Sequence, residues 1–74
     1  MGTAETKTIE VVVNGAARTI PAGLNIDRLL GWLKIDASRV AVELDGKIVR
    51  KREWPAADVR AGARIEVVWF VGGG

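Results

Sequence analysis

The chain is expected to fold as one two-layer α+β domain, a mixed sheet of about five strands packed on a single helix, in the order β-β-α-β-β-β. Three observations lead there. Short segments alternate apolar and polar residues with a period of two, and two of them close on Asn-Gly or Asp-Gly; that combination marks strands joined by tight hairpins. Ile26, Leu29, Leu30 and Leu33 repeat instead at helical spacing and form one apolar stripe. With 74 residues, the chain has room for one small core and no internal cleft, because a domain of this size buries only roughly 60% of its unfolded surface.

In "TIEVVV", residues 8–13, Ile9, Val11 and Val13 oppose Thr8, Glu10 and Val12, the pattern of a half-buried strand. Asn14-Gly15 accepts the positive φ values of a two-residue hairpin. A return strand over about 16–20 then stops at Pro21. Asn25 is placed to cap a helix over about 26–34, with Asp27 near the positive end of its dipole. Gly31 lies inside that helix at a cost of about 1 kcal/mol relative to Ala; close packing is one reason for it that the sequence alone does not show. Val40, Val42 and Leu44 alternate up to Asp45-Gly46, and Ile48-Val49 begin a short return strand. Residues 50–60 lose periodicity, and Pro55 allows at most a turn or a short helical bend. After a turn at Ala61-Gly62-Ala63, residues 64–71 resume alternation with Ile65, Val67 and Trp69 on one face. Trp69 is therefore assigned to the core.

Composition narrows the chemistry. Cysteine is absent, which removes disulfides, thiolate metal sites and a thiol nucleophile. Histidine is absent too, and with it the commonest general base and metal ligand. The remaining carboxylates and basic groups sit in a fold too small to desolvate them, so the chain is expected to be no enzyme, to hold no metal, and to serve as a substrate or carrier. No apolar run approaches the roughly 20 residues needed to cross a bilayer. Residues 1–7 lack the charged-then-apolar layout of a secretion signal, so a cytoplasmic location with no membrane partner is expected. Arg50-Lys51-Arg52 is followed by Glu53, and the net charge is only +2. That run reads as a solvated loop rather than a nucleic-acid surface.

A single helix covers one face of a sheet and leaves the other open. Val12, Val68 and Phe70 point to that second face, because successive strand residues alternate sides. An exposed apolar patch marks an interaction surface; coverage by the 50–60 loop is the alternative. The patch adjoins Val71 and the glycines Gly72, Gly73 and Gly74 that close the sequence. The division expected is a disordered lead over 1–7, a domain over 8–71 and a flexible glycine tail over 72–74.

"VVVNGAARTIPAGLNIDRLLGWLKI", "RVAVELDGKIV" and "RIEVVWFVGGG", in that order and spacing, resemble the sulfur carrier proteins of thiamine biosynthesis, the ThiS family within the ubiquitin-like β-grasp superfamily. The resemblance spans about Ile9 to Gly74. The chain departs from the family in a longer lead, in Asp45-Gly46 where Asn-Gly is frequent, and in Ala63 where an acid is expected. The resemblance implies that a ThiF-like adenylating enzyme uses ATP to activate the carboxylate of Gly74, and that sulfur then replaces AMP to leave a thiocarboxylate. The sulfur comes from a donor such as a cysteine desulfurase, and a ThiG-like thiazole synthase consumes it. Gly74 is then the covalent carrier site, Gly72 and Gly73 the arm, and Val12, Val68, Phe70 and Val71 the partner-binding residues. No cofactor is bound tightly, since ATP belongs to the partner.

The residues fit those events. An ionised α-carboxylate, with a pKa of roughly 3.3 to 3.7, is a poor electrophile and needs outside activation. Glycines without Cβ atoms can thread a narrow channel. Fully extended, Val71 to Gly74 would reach roughly 13 to 14 Å. Three readings stay open beside the leading one: a sister carrier for molybdopterin synthesis, cysteine synthesis or tRNA thiolation; a ubiquitin-like protein modifier; and an RNA-binding module using Arg50, Lys51 and Arg52, with an inert tail.

Overall fold

The computed structural model describes residues 7–70. Val71, the glycine tail and the expected lead, Lys7 excepted, lie outside the described residues. Strands β1 (Thr8–Val13) and β2 (Ala16–Pro21) precede helix α1 (Ile26–Trp32), and β3 (Val40–Leu44), β4 (Lys47–Val49) and β5 (Arg64–Trp69) follow. Short 3-10 segments cover Ala37–Arg39 and Lys51–Ala56. The sheet order is β2-β1-β5-β3-β4. The last strand is thus central, parallel to β1 and antiparallel to β3. This is the mixed sheet on one helix of the β-grasp arrangement.

Both hairpins turn as their sequences dictate. Asn14 and Gly15 have φ of 49° and 82°, and Asp45 and Gly46 have 52° and 84°, the paired positive values that match the twist of the flanking strands. Helix α1 starts where Asn25 accepts a hydrogen bond from the Arg28 N–H at 2.7 Å, while its side-chain amide donates to the Pro55 carbonyl at 3.1 Å. One residue therefore caps the helix and ties it to the 3-10 segment. The helix ends two residues earlier than the expected span of 26–34. Lys34 takes a left-handed φ of 62°, and the N–H groups of Lys34 and Ile35 donate to the carbonyls of Gly31 and Leu30. That double closure terminates the helix and folds Ile35 back toward the core.

Ile26, Leu29 and Leu30 lie fully buried over Val11, Ile65, Val67 and Val42 on one face of the sheet. Trp54 completes this core. It is only 2% exposed, and its indole N–H donates to the Val49 carbonyl at 2.9 Å, so the irregular 50–60 stretch contributes a large buried side chain on the helix side. That stretch leaves Val68 and Phe70 exposed, and the alternative of a loop over the open face is not realised. Ala63 is buried, and its carbonyl accepts from the Val12 N–H at 2.9 Å. Alanine suits this position where an acid would lose its solvation. Among the described residues, no helix is long and apolar enough to cross a membrane.

Two expectations are corrected. A Cβ at Gly31 would meet nothing within 4 Å, so no close packing explains this glycine. Trp69 is 49% exposed although it shares a face with Ile65 and Val67. The cause is strand length: β1 ends at Val13, opposite Ile65, so β5 runs past its neighbour and Trp69 has only Val40 of β3 beside it.

Gly31→Ala should stabilise the domain by about 1 kcal/mol through helix propensity alone, and Lys34→Gly should stabilise it by relieving the left-handed strain. Urea unfolding checks both: higher midpoints at an unchanged slope are expected.

Candidate functional site

The site is the base of the tail, where β5 leaves the sheet. Two turn side chains hold this strand. The Asp45 carboxylate accepts from the Arg64 N–H at 2.9 Å, while the Asp45 N–H donates to the Arg64 carbonyl at 2.8 Å; together they fix the start of β5. On the opposite side, the Asn14 N–H donates to the Ile65 carbonyl at 2.9 Å. The Asn14 side chain then accepts from the Val67 N–H at 2.7 Å and donates to the Val67 carbonyl at 3.3 Å. A carboxamide carries the same donor and acceptor as a peptide group, so Asn14 extends the β1–β5 ladder after the backbone has turned away.

At its end, β5 is held by β3 alone. The Phe70 N–H donates to the Arg39 carbonyl at 2.9 Å. Arg39 is itself set by a turn in which the Asp36 carboxylate accepts from both the N–H and the hydroxyl of Ser38, at 3.0 and 2.7 Å. Asp36 also pairs with Arg39 at 3.3 Å. The Ser38 hydrogen bonds, foremost that of its hydroxyl, hold the Asp36 carboxyl below its ordinary pKa. The small stability this charge adds is fully present above the ordinary carboxylate pKa and is lost as pH falls through the lowered value.

The expected partner-binding residues do not form one patch. Val68 and Phe70 are 53% and 60% exposed and lie together at the end of β5. Val12 is half-buried and stands opposite Arg64, four residues back along β5 from Val68, or roughly 13 Å at strand rise. Between them, Glu66 faces Glu43 across the β3–β5 pair. The described patch at the tail is therefore Val68 and Phe70, with Trp69 exposed between them on the opposite face of the strand, and Val12 lies outside it. Val71, Gly72, Gly73 and Gly74 lie outside the described residues. Arg50, Lys51 and Arg52 are exposed around the 3-10 segment, and Lys51 sits 6.0 Å from the Trp54 ring centre, a surface cation over an aromatic that anchors the core. Among the described residues, no three His, Cys, Asp or Glu side chains gather as a metal site requires.

Sequence reasoning missed the clamping roles of Asn14 and Asp45. Their only signal was membership of the turn dipeptides, and the partner strand lies 53 residues on from Asn14. Trp54 was missed as well, although a lone indole among charged residues is itself a sign of an anchor.

The class that this fold and its centrally mounted last strand define is that of the small ubiquitin-like β-grasp proteins. The ThiS family model matches residues 11–74, and the chain belongs to the ThiS family. The crystal structure of the thiamine biosynthesis protein ThiS from Geobacter metallireducens is 35% identical with a TM-score of 0.79, covering 89% of this chain and 100% of that one. A solution structure of a thiamine biosynthesis protein from the same organism is 33% identical with a TM-score of 0.73, covering 89% and 88%. Among curated proteins, a thiazole synthase from Paramagnetospirillum magneticum is 38% identical over 66 residues, which is 89% of this chain and 20% of that protein. The chain thus spans about a fifth of the length of that synthase. The uncharacterized protein ycf40 of Porphyra purpurea is 25% identical over 68 residues, covering 92% of this chain and 96% of that protein.

Asn14→Gly keeps the positive φ accessible and deletes only the side-chain bonds to Val67. The two part-buried peptide groups left behind should cost about 1 to 3 kcal/mol. Urea unfolding measures the loss, and amide exchange should accelerate at Val67 more than at Val42. Separately, the Asp36 carboxyl should titrate below the ordinary aspartate midpoint when followed by NMR, and Ser38→Ala should raise that midpoint.

Proposed function

We propose that this chain carries sulfur on the carboxylate of Gly74 and is a co-substrate of other enzymes, with no catalysis of its own. The observation that carries the reading is the mounting of β5: a central strand, paired on both sides and clamped by Asn14 and Asp45, runs directly into Val71 and the three glycines. A rigid strand aims the segment that follows it. Glycines then let that segment pass walls that would exclude a side chain.

In the proposed sequence, a ThiF-like enzyme binds the carrier with ATP. A carboxylate oxygen of Gly74 attacks the α-phosphorus and pyrophosphate leaves. The terminal sulfur of a persulfide, formed on a cysteine desulfurase or an acceptor cysteine, then attacks the acyl carbon and AMP departs; a thiol reduces the resulting acyl disulfide, becoming a disulfide itself, and a thiocarboxylate remains. A ThiG-like thiazole synthase takes the sulfur. Support for that last partner comes from the likeness of 89% of this chain to one fifth of a thiazole synthase, where both would work within one polypeptide. ATP is bound and used by the adenylating enzyme, and all these reactions belong to the cytoplasm. Threading the tail costs conformational entropy that contacts elsewhere must offset, and Val68, Phe70 and the exposed part of Trp69 are the apolar surface nearest to it.

Incubating the chain with its organism's ThiF-like enzyme, ATP, a desulfurase, cysteine and a thiol reductant should add the mass of one oxygen-to-sulfur exchange at the C-terminal residue. The same intact-mass measurement on native protein should find Gly74 carrying a free carboxylate. Deleting Gly73 and Gly74 should leave unfolding unchanged and abolish the mass shift. Sulfur transfer by the truncated chain, or adducts on target lysines with no thiocarboxylate, would overturn the reading.

A further inference from the structure

We propose that the adenylating enzyme grips this carrier by strand addition, pairing one of its own extended segments with the free edge of β5 at Trp69. This rests on the function proposed above and specifies how the tail is held.

The argument starts from which way each peptide group of β5 points. In an antiparallel pair, opposed residues alternate between those that exchange hydrogen bonds and those that do not. Arg39 and Phe70 are bonded across β3 and β5, and so are Asp45 and Arg64. Val40 and Trp69, opposed in the same register, are therefore a non-bonded pair, and the N–H and carbonyl of Trp69 point away from β3. They point the way those of Ile65 and Val67 do. Those two residues meet Asn14, but Asn14 is the last group on that side. Among the described residues, no strand adjoins β5 beyond it.

Natural sheets blunt their edges with charge, proline or brevity. The two outer edges here obey this: β4 has three residues and begins with Lys47, and β2 carries Arg18 and ends at Pro21. The inner edge at Val68-Trp69-Phe70 has no charge and no proline, and all three residues are exposed, Trp69 by 49% and the other two by more than half. One donor and one acceptor are too few to hold a second copy of the chain. They are well placed for an enzyme that also holds the tail, because Trp69 lies five residues before Gly74, roughly 16 to 18 Å when extended. Pairing there would fix the direction and register of the chain before it enters the active site. The enzyme's need for both is greatest at adenylation, where an unactivated carboxylate must be held in line with a phosphorus atom.

The test compares Trp69→Pro with Trp69→Ala. Both remove the indole, but only proline removes the N–H, and β3 does not use that N–H. Adenylate formation by the organism's ThiF-like enzyme, followed by pyrophosphate release, should be at least tenfold slower at subsaturating carrier for the proline variant than for the alanine variant. In the wild-type chain, the Trp69 amide should exchange rapidly when free and be protected at least tenfold in the complex. The Phe70 amide, bonded to Arg39 throughout, is the internal control. Equal rates for two folded variants overturn the proposal, and should Trp69→Pro fail to fold, the exchange measurement decides alone. An unprotected Trp69 amide in the complex overturns it too, as does protection seen only with thiazole synthase or only on self-association. A wild-type chain that is never adenylated would instead defeat the functional reading on which this rests.

Discussion

The structure depends on how its central strand is held. Strand β5 joins two hairpins that otherwise share no hydrogen-bonded ladder, because β1 lies on one side of it and β3 on the other. Backbone pairing does only part of this work: the parallel register with β1 covers Val12–Arg64 and Val13–Ile65. Asn14 and Asp45 supply the rest from the turns themselves. Each turn thus reverses its own hairpin and also seizes the strand that unites them. A side chain in a tight turn has few rotamers to lose, so these bonds are made at low entropic cost.

The holding of β5 also separates the two faces by duty. Beneath the helix, Ile65 and Val67 are sealed with Ile26, Leu29, Leu30 and Trp54, and the domain draws its hydrophobic stability from there. On the far side, the facing carboxylates of Glu43 and Glu66 interrupt the apolar surface along β5 and separate Val12 from the exposed Val68 and Phe70, while Ile48 of β4 is exposed beside Glu43. An apolar stripe running unbroken from Val12 to Phe70 would invite association along the whole strand. A short patch at the end of β5 limits that association, along this strand, to the place where the tail begins.

Strand and helix identity, both hairpins and their turn residues were legible in the sequence, because each rests on local periodicity or on backbone angles that few residues accept. The order of strands was legible only through family resemblance, since no local signal says that the last strand lies between the first and the third. Trp69 shows the limit clearly. Alternation put it on the buried face, correctly, but whether anything lies beside it depends on where β1 stops, and that is a property of pairing rather than of pattern. Gly31 erred in the other direction: a residue costly to its helix invited a packing reason, and the space around it is open. Trp54 was lost because residues 50–60 have no period to read, and a 3-10 segment places its side chains by tertiary contact. At the candidate site, Val68 and Phe70 followed from alternation, whereas the exclusion of Val12 required the register.

A central strand that comes last in the chain has a consequence for synthesis. The first hairpin, the helix and the second hairpin are all made before β5, yet they meet across the sheet only through it. A chain terminated short of Arg64 would leave two unjoined hairpins and an uncovered helix face, and such a chain should be cleared as unfolded protein. Completion of the domain therefore waits on β5, which follows every other described strand.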